Sequence, residues 1–459
     1  MIMVPFNLTQ IASVLGAKHI GIDISIETIS TDSRSITKQC LFVAIIGNRF
    51  DGHDFIDQAV ILGAKAVLVN HDLLLDIPQL IVEDTIDALL KIAHWVRCQV
   101  SSKVIAITGS SGKTSVKEMT ASILKGRGKV IATQGNFNNI IGVSITLLRL
   151  TKQSDFAVIE LGTSNPGELR QLSKIVAADV TLVNNIFPSH LSGFRSIVAL
   201  KKEKGEIFFG LSASGQAVIN ADSHAFSMWN VMLEGKCVWR FSLYNKVDSN
   251  FFASNVFFSK NGMIFNLNGP FGKAPVFLPM LGQHNVANAL AASALAFSVS
   301  SNVFEIVIGL KNTKTLSGRL FPIFLNQGRL LLLDDTYNSN VGSMIAAIYV
   351  LDKMPGYRIL IISDMLELGS VFSIKYHCYI GKLIIKTHIH QVLTIGSYSY
   401  FIHKICNRGN HFQDKSKLIF FINNIISQYQ DMHVSILIKG SRYCHMEDVL
   451  SAIMDHVKC

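Results

Sequence analysis

The stretch Lys103-Val-Ile-Ala-Ile-Thr-Gly-Ser-Ser-Gly-Lys-Thr-Ser-Val116 decides how this chain is read. Lys103–Thr108 is a β-branched run of the kind that makes a buried strand, and Thr114–Lys125 has the length and composition of a helix. Between them Gly109, Ser110, Ser111 and Gly112 form a turn in which glycines let the backbone approach phosphate oxygens. The helix start adds a positive partial charge. Lys113 then supplies a point charge to a terminal phosphate, and the Thr114 hydroxyl, followed by Ser115, can ligate Mg2+. Ile107 occupies the place of the first glycine in the full G-x-x-x-x-G-K-[ST] pattern. A bare connecting turn is the plainer alternative, and Gly-Lys-Thr at a helix start after a buried strand weighs against it. The loop implies an ATP or GTP site without distinguishing a kinase, a ligase, a motor or a switch.

Outward from the loop, the strand Asp155–Leu161 places Glu160 near its C-terminal end, where a carboxylate beside a phosphate loop can partner Mg2+. Beyond the strand Asp179–Asn184 stands His190, which by itself reads as an ordinary loop histidine. Lys204 lies in Lys201-Lys-Glu-Lys-Gly-Glu-Ile-Phe208, and the charge alternation alone reads as a solvated helix face.

The chain has 459 residues, 49% apolar and 16% charged, so it can bury a large core and is not globally disordered. No apolar run reaches the roughly 20 residues of a membrane span, and no secretory signal is expected. The seven cysteines, at 40, 98, 237, 378, 406, 444 and 459, are widely spaced without C-x-x-C, which predicts free thiols and a reducing cytoplasm. The net charge of +10 suits an anionic ligand. It would also suit nucleic acid, but no basic stripe with interleaved aromatics is present, so no nucleic-acid partner is expected.

Strands alternating with helices predict an α/β protein with three domains. Residues 1–83 mix short strands and helices, including Cys40–Ile46, a turn at Gly47-Asn48 and a strand at Lys65–Asn70. Residues 84–313 form a parallel-sheet domain around the phosphate loop, interrupted at 215–280 by a small antiparallel insertion and resuming in an Ala-rich helix at 284–298. Residues 314–459 read as a second doubly wound sheet, with strands at Arg329–Leu333, Arg358–Ser363, Gln391–Ile395 and Val434–Ile438.

One series of motifs goes further. Ile107–Ser115, Gly135-Asn-Phe-Asn-Asn139, Ile159-Glu-Leu-Gly162, His190-Leu-Ser-Gly-Phe194, Lys204-Gly-Glu-Ile-Phe208, Gly282-Gln-His-Asn-Val-Ala-Asn288, Ser317-Gly-Arg-Leu-Phe321, Asp334-Asp-Thr-Tyr-Asn-Ser-Asn340 and Lys439-Gly-Ser-Arg442, with Thr31-Asp-Ser-Arg34 and Arg49–Phe55, resembles the Mur ligases in order and spacing. The resemblance covers essentially the whole chain. It implies an N-terminal α/β domain for a UDP-linked substrate, a central ATPase domain and a C-terminal Rossmann-like domain that closes over the site. The implied reaction is ATP-dependent amide-bond formation through an acyl phosphate, joining D-alanyl-D-alanine to UDP-N-acetylmuramoyl-tripeptide for peptidoglycan, by a cytoplasmic monomer.

The resemblance also implies roles. Lys113, His190, Lys204 and Arg319 would be catalytic. Thr114, Glu160, His190 and Lys204 would serve Mg2+, Lys204 as a carbamate, with Lys202 the competing assignment. Asn285 and Asn288 would contact the adenosine side of ATP. Arg319 would reach phosphate, and Asp335 ribose or the domain junction. Lys439 and Arg442 would face peptide carboxylates, Asn138 and Asn139 would contact substrate, and Ser33, Arg34, Arg49 and Asp51 would line the uridine-diphosphate end.

Overall fold

A computed structural model describes residues 3–47, 49–223, 226–245, 248–429 and 431–458. Asn48 of the expected turn, and Cys459, lie outside the described residues. Among the described residues the backbone forms a two-stranded ribbon and sheets of five, nine and six strands.

The N-terminal sheet runs in the order Lys18–Ile20, Gln79–Ile81, Ala66–Val69, Cys40–Val43, Thr28–Ser30, its first pair antiparallel and the others parallel. Helix Thr85–Cys98 begins where the Asp84 carboxylate accepts the amides of Ile86 and Asp87 at 2.7 and 3.1 Å. Its Ile92 and Val96 join Leu41 and Leu80 of this sheet and Val104 and Ala106 of the next in one buried cluster. The helix is therefore shared between the two sheets.

In the nine-stranded sheet the strand Lys103–Thr108 lies between Phe156–Glu160 and Ala178–Val183, all parallel. The register sets Glu160 beside Ile107, and Val183 beside Thr108. The loops leaving these three strands therefore emerge side by side, on two sides of one strand, where open α/β sheets bind ligands. Helix Lys113–Leu124 packs beneath helix Gln283–Ser298, whose Ala289, Ala291, Ala292, Ala294 and Ala296 are fully buried and allow the close approach.

The expected antiparallel insertion is corrected here. Leu211–Asn220, Cys237–Ser242 and Phe251–Ser259 extend the same sheet in parallel, and only Gly262–Gly269 and Gly272–Leu278 turn antiparallel at its edge. The two antiparallel pairings, Phe251–Ser259 with Gly262–Gly269 and Gly262–Gly269 with Gly272–Leu278, are where the expectation holds.

The six-stranded sheet runs Phe321–Leu325, Leu330–Asp335, Val434–Lys439, Tyr357–Ser363, Gln391–Ile395, His411–Phe412. Helices Val341–Asp352 and Ser370–Ile385 cover one face, and Lys415–Gln428 and Glu447–Lys458 the other. The edge strand Phe321–Leu325, which tolerates Pro322, is antiparallel and was not expected. The six described cysteines form no disulfide. No helix among the described residues is long and apolar enough to cross a membrane.

Candidate active site

The phosphate loop opens a cleft of about 1290 Å³ between the nine- and six-stranded sheets. Gly112 has φ +76°, and a Cβ there would lie 2.5 Å from Asn288 Oδ1 and 2.7 Å from Asn184 Nδ2, so both conformation and space require glycine. Two loop amides are already engaged: Ser110 N–H donates to the Asn185 carbonyl at 3.0 Å and Ser111 N–H to Asn185 Oδ1 at 2.9 Å. Asn184 Nδ2 donates to the Ser111 carbonyl at 3.0 Å and to Asn288 Oδ1 at 2.9 Å. Ser110 and Ser111 thus shape the loop. Lys113 Nζ folds back to the Gly109 carbonyl at 3.0 Å, and the protein around its ammonium pushes its pKa down.

Glu160 is buried at the cleft floor. Its Oε2 accepts from the Thr114 hydroxyl at 2.8 Å and its Oε1 from Asn138 Nδ2 at 2.8 Å. Arg319, 205 residues further along, donates from Nη2 to Thr114 Oγ1 at 2.9 Å, with its guanidinium over the Tyr337 ring at 4.3 Å. Mg2+ takes hard oxygen donors, commonly one or two carboxylates completed by substrate phosphates and water. The Glu160 carboxylate, whose side-chain partners Thr114 and Asn138 are neutral, and the Thr114 hydroxyl, which also accepts from Arg319, fit that donor set. Among the described residues no three His, Cys, Asp or Glu side chains converge as a closed metal cage.

Lys204 corrects the solvated-face reading. Its side chain is buried behind the loop, Nζ facing Thr108 Oγ1 at 3.4 Å, while Lys202 is exposed. Burial, assisted by the Lys113 charge, lowers its pKa to about 7. Glu203 is also buried, accepting the amides of Gly167 and Leu169 at 2.8 and 2.9 Å. His190 holds φ +51°, and burial lowers its pKa. Its Nδ1 faces Glu367 Oε2 of the C-terminal wall at 3.4 Å.

The C-terminal wall rests on a buried ion pair, Lys439 Nζ to Asp335 Oδ2 at 2.7 Å. Lys439 also donates to the Asn338 carbonyl at 2.8 Å, and Asp335 Oδ1 accepts the Leu320 amide at 3.2 Å. Burial raises the Asp335 pKa against the pull of Lys439. In this arrangement both side chains are spent on each other and on the backbone. Arg442 is more open, with Nη1 bonded to Glu447 at 3.0 Å. Asn285 and Asn288 line the cleft in series: Asn288 Nδ2 donates to Asn285 Oδ1 at 3.0 Å, and Asn285 Nδ2 to the Leu281 carbonyl at 2.8 Å. Asn139 lines it too, but its side chain caps helix Ile140–Leu148 through the Gly142 amide at 2.9 Å.

The N-terminal candidates are not brought to this cleft, whose walls include Ile86 but none of Ser33, Arg34, Arg49 or Asp51. Ser33 donates to Gln58 Oε1 at 2.7 Å, Arg34 pairs with Asp32 at 2.8 Å in solvent, Asp51 caps His53 at 2.9 Å, and Arg49 is exposed. Sequence reasoning missed Asn184, Asn185, Asn338 and Glu367. For Asn184-Asn185 the available signal was two amides directly after a strand flanking the phosphate loop; for Glu367 there was none, because its partners come from distant segments.

Two family models match the chain, one described as the Mur ligase middle domain, over residues 107–296, and one as the Mur ligase family catalytic domain, over residues 25–108. The chain is 46% identical to the UDP-N-acetylmuramoyl-tripeptide–D-alanyl-D-alanine ligase of Escherichia coli strain K12, covering 100% of both chains. It is 43% identical to the enzyme of that name from Buchnera aphidicola subsp. Acyrthosiphon pisum, covering 99% of both. Among solved structures, MurF from Acinetobacter baumannii superposes with a TM-score of 0.94 at 32% identity, over 99% of this chain and 100% of that one.

Proposed function

The chain belongs to the Mur ligase family, and from that premise we infer that it is an ATP-dependent ligase that joins D-alanyl-D-alanine to UDP-N-acetylmuramoyl-tripeptide in peptidoglycan precursor synthesis. The observation that supports this best is the meeting of Arg319 with Thr114 at 2.9 Å, which brings a cation from the far side of the cleft onto a phosphate loop.

In the reaction a tripeptide carboxylate oxygen attacks the γ-phosphorus of ATP, the bond to the β-phosphate oxygen breaks, and ADP leaves. The dipeptide amine then attacks the acyl carbon and phosphate departs with that carboxylate oxygen. The substrate supplies its own nucleophile, so no Ser or Cys nucleophile is needed. Two anions must approach each other, and the chain answers with concentrated positive charge. Lys113 neutralises the transferring phosphoryl group from the loop side, and Arg319 does so from the opposite wall. Mg2+, when bound, would add charge neutralisation at the phosphates, held by Thr114 and Glu160. Asn138 fixes Glu160, and Asn184 and Asn185 fix the loop, so these groups are in place before charge develops.

With its pKa lowered to about 7, a substantial share of buried Lys204 is the neutral amine that can add carbon dioxide, which supports its carbamylation over that of the exposed Lys202. Asn285 and Asn288 serve the nucleotide, and Arg442 the peptide end. Ser33, Arg34, Arg49 and Asp51 serve the uridine diphosphate outside the cleft. Domains 1–83, 84–313 and 314–459 divide these tasks in a cytoplasmic monomer. Phosphate release with a panel of UDP-muramoyl acceptors and amines tests the reading. Tripeptide with D-alanyl-D-alanine should support turnover; preference for another pair would transfer the chain to a sister activity.

A further inference from the structure

Five carboxylates line the cleft: Glu160, Glu168, Asp222, Asp335 and Glu367. Four are occupied by the fold. Glu160 holds Thr114 and Asn138; Glu168 accepts the Ser164 and Asn165 amides at 2.8 and 3.2 Å; Asp222 accepts from Ser242 Oγ and the Leu243 amide, both at 2.7 Å; Asp335 is paired with Lys439. Glu367 differs. It sits on the short turn Leu366–Leu368 that projects from the C-terminal wall, and its side chain remains 23% exposed. Its Oε1 accepts from Asn338 Nδ2 at 3.1 Å, and its Oε2 faces His190 Nδ1 at 3.4 Å, across the cleft and just past the phosphate-loop sheet.

Asn338 joins this acid to the Lys439–Arg442 segment, where Lys439 is spent on Asp335 and the exposed Arg442, paired with Glu447 at 3.0 Å, is the cation open to a ligand. Its Oδ1 accepts the Arg442 amide at 3.3 Å and its carbonyl accepts Lys439 Nζ at 2.8 Å. One residue thus sets a carboxylate on one side and the Arg442 segment on the other. That polarity matches a ligand with an ammonium at one end and a carboxylate at the other. A free dipeptide is such a ligand, and its amino end is the one that must attack the acyl phosphate, as the neutral amine after the ammonium has given up a proton to solvent.

Resting on the ligase reading above, we propose that Glu367 is the anchor for the ammonium of the incoming dipeptide, held in place by Asn338. The amine is then delivered beside His190, at the phosphate-loop side of the cleft, with its carboxylate directed toward Arg442. Glu367 selects the amine substrate and takes no part in activating the tripeptide carboxylate.

The test separates the two half-reactions in Glu367→Gln. Acyl phosphate formed from ATP and UDP-muramoyl-tripeptide without dipeptide, trapped by hydroxylamine, should stay within about threefold of wild type, with the same Mg2+ dependence; this also shows that the variant folds. KM for D-alanyl-D-alanine should rise by about 10-fold or more, with KM for ATP and tripeptide unchanged, and Glu367→Asp should recover part of it. A parallel fall in acyl phosphate formation, or a shifted Mg2+ requirement, would assign Glu367 to the phosphate side and overturn the proposal. An unchanged dipeptide KM would overturn it as well. If wild-type protein forms acyl phosphate but ignores D-alanyl-D-alanine, the substrate reading itself fails, a result distinct from either.

Discussion

The two walls of the cleft solve the handling of charge differently. On the phosphate-loop side the groups come from adjacent positions: Gly109 to Ser115 in one run, with Glu160 and Asn184 delivered by the strands on either side. Their geometry follows from strand register and helix start, and the loop is fastened by Asn184 and Asn185. On the opposite wall Arg319, Asp335, Glu367, Lys439 and Arg442 come from dispersed segments, and a buried Asp335–Lys439 pair holds the arrangement. The first wall is built for a ligand that is always the same, a triphosphate. The second is joined to it through a few side-chain contacts, such as Arg319 to Thr114 and Asn340 Nδ2 to the Ser110 carbonyl at 3.1 Å. Such contacts can open and re-form, as a site that must admit peptides and then exclude water requires.

Removing a charge from the preorganised wall should have the largest effect. Lys113→Ala is expected to lower turnover by about 10³-fold or more while the protein stays folded, because the proposed cation partner of the γ-phosphoryl group is lost. Phosphate release under saturating substrates reads it, and a loss below tenfold would remove Lys113 from the centre of the mechanism.

Asp335→Ala should act on stability. It leaves the Lys439 ammonium buried without its partner, at a cost of about 3 kcal/mol. Urea unfolding checks this, and the double variant Asp335→Leu, Lys439→Met should recover most of the loss. If the single and double variants unfold alike, the pair does not carry the wall.

A smaller effect is expected from acid. Burial, and secondarily Lys439, lowers the pKa of His284 to about 4 in the fold, against an ordinary value near 6.5. Between those values the unfolded chain binds a proton that the folded one does not. The contribution is therefore complete above about pH 6.5 and is lost as pH falls toward 4, by roughly 2 kcal/mol with some screening by cleft water. His284→Gln should flatten that part of the stability profile; an unchanged slope would show that His284 titrates freely.

The smallest change concerns Arg34. Its pair with Asp32 lies in solvent, so Arg34→Ala should leave stability nearly unchanged. KM for the UDP substrate should nonetheless rise, with KM for ATP unchanged. A raised ATP KM would place Arg34 with the wrong ligand.

The same contrast explains what could be read in the sequence. The phosphate loop was legible because its residues are contiguous and its neighbours follow the α/β alternation. Lys204 was not legible from its own segment. Lys201-Lys-Glu-Lys204 has the pattern of a solvated helix, yet Glu203 is drawn inward by the Gly167 and Leu169 amides and Lys204 by the space behind Thr108. Only the family resemblance marked it. Residues 215–280 misled for a related reason. Their β-rich composition suggested a small antiparallel insertion, while three of the strands pair in parallel through connections that local sequence does not specify. Glu367 was out of reach because His190 and Asn338 approach it from other parts of the chain.

In the proposed reaction the loop around Lys113 presents a γ-phosphoryl group to the tripeptide carboxylate. Synthesis with oxygen-18 in that carboxylate follows the oxygen through the transfer. One labelled oxygen should appear in the released inorganic phosphate for each amide bond formed. Phosphate free of label, with product made at the normal rate, would contradict the acyl phosphate and the reading of the loop that rests on it.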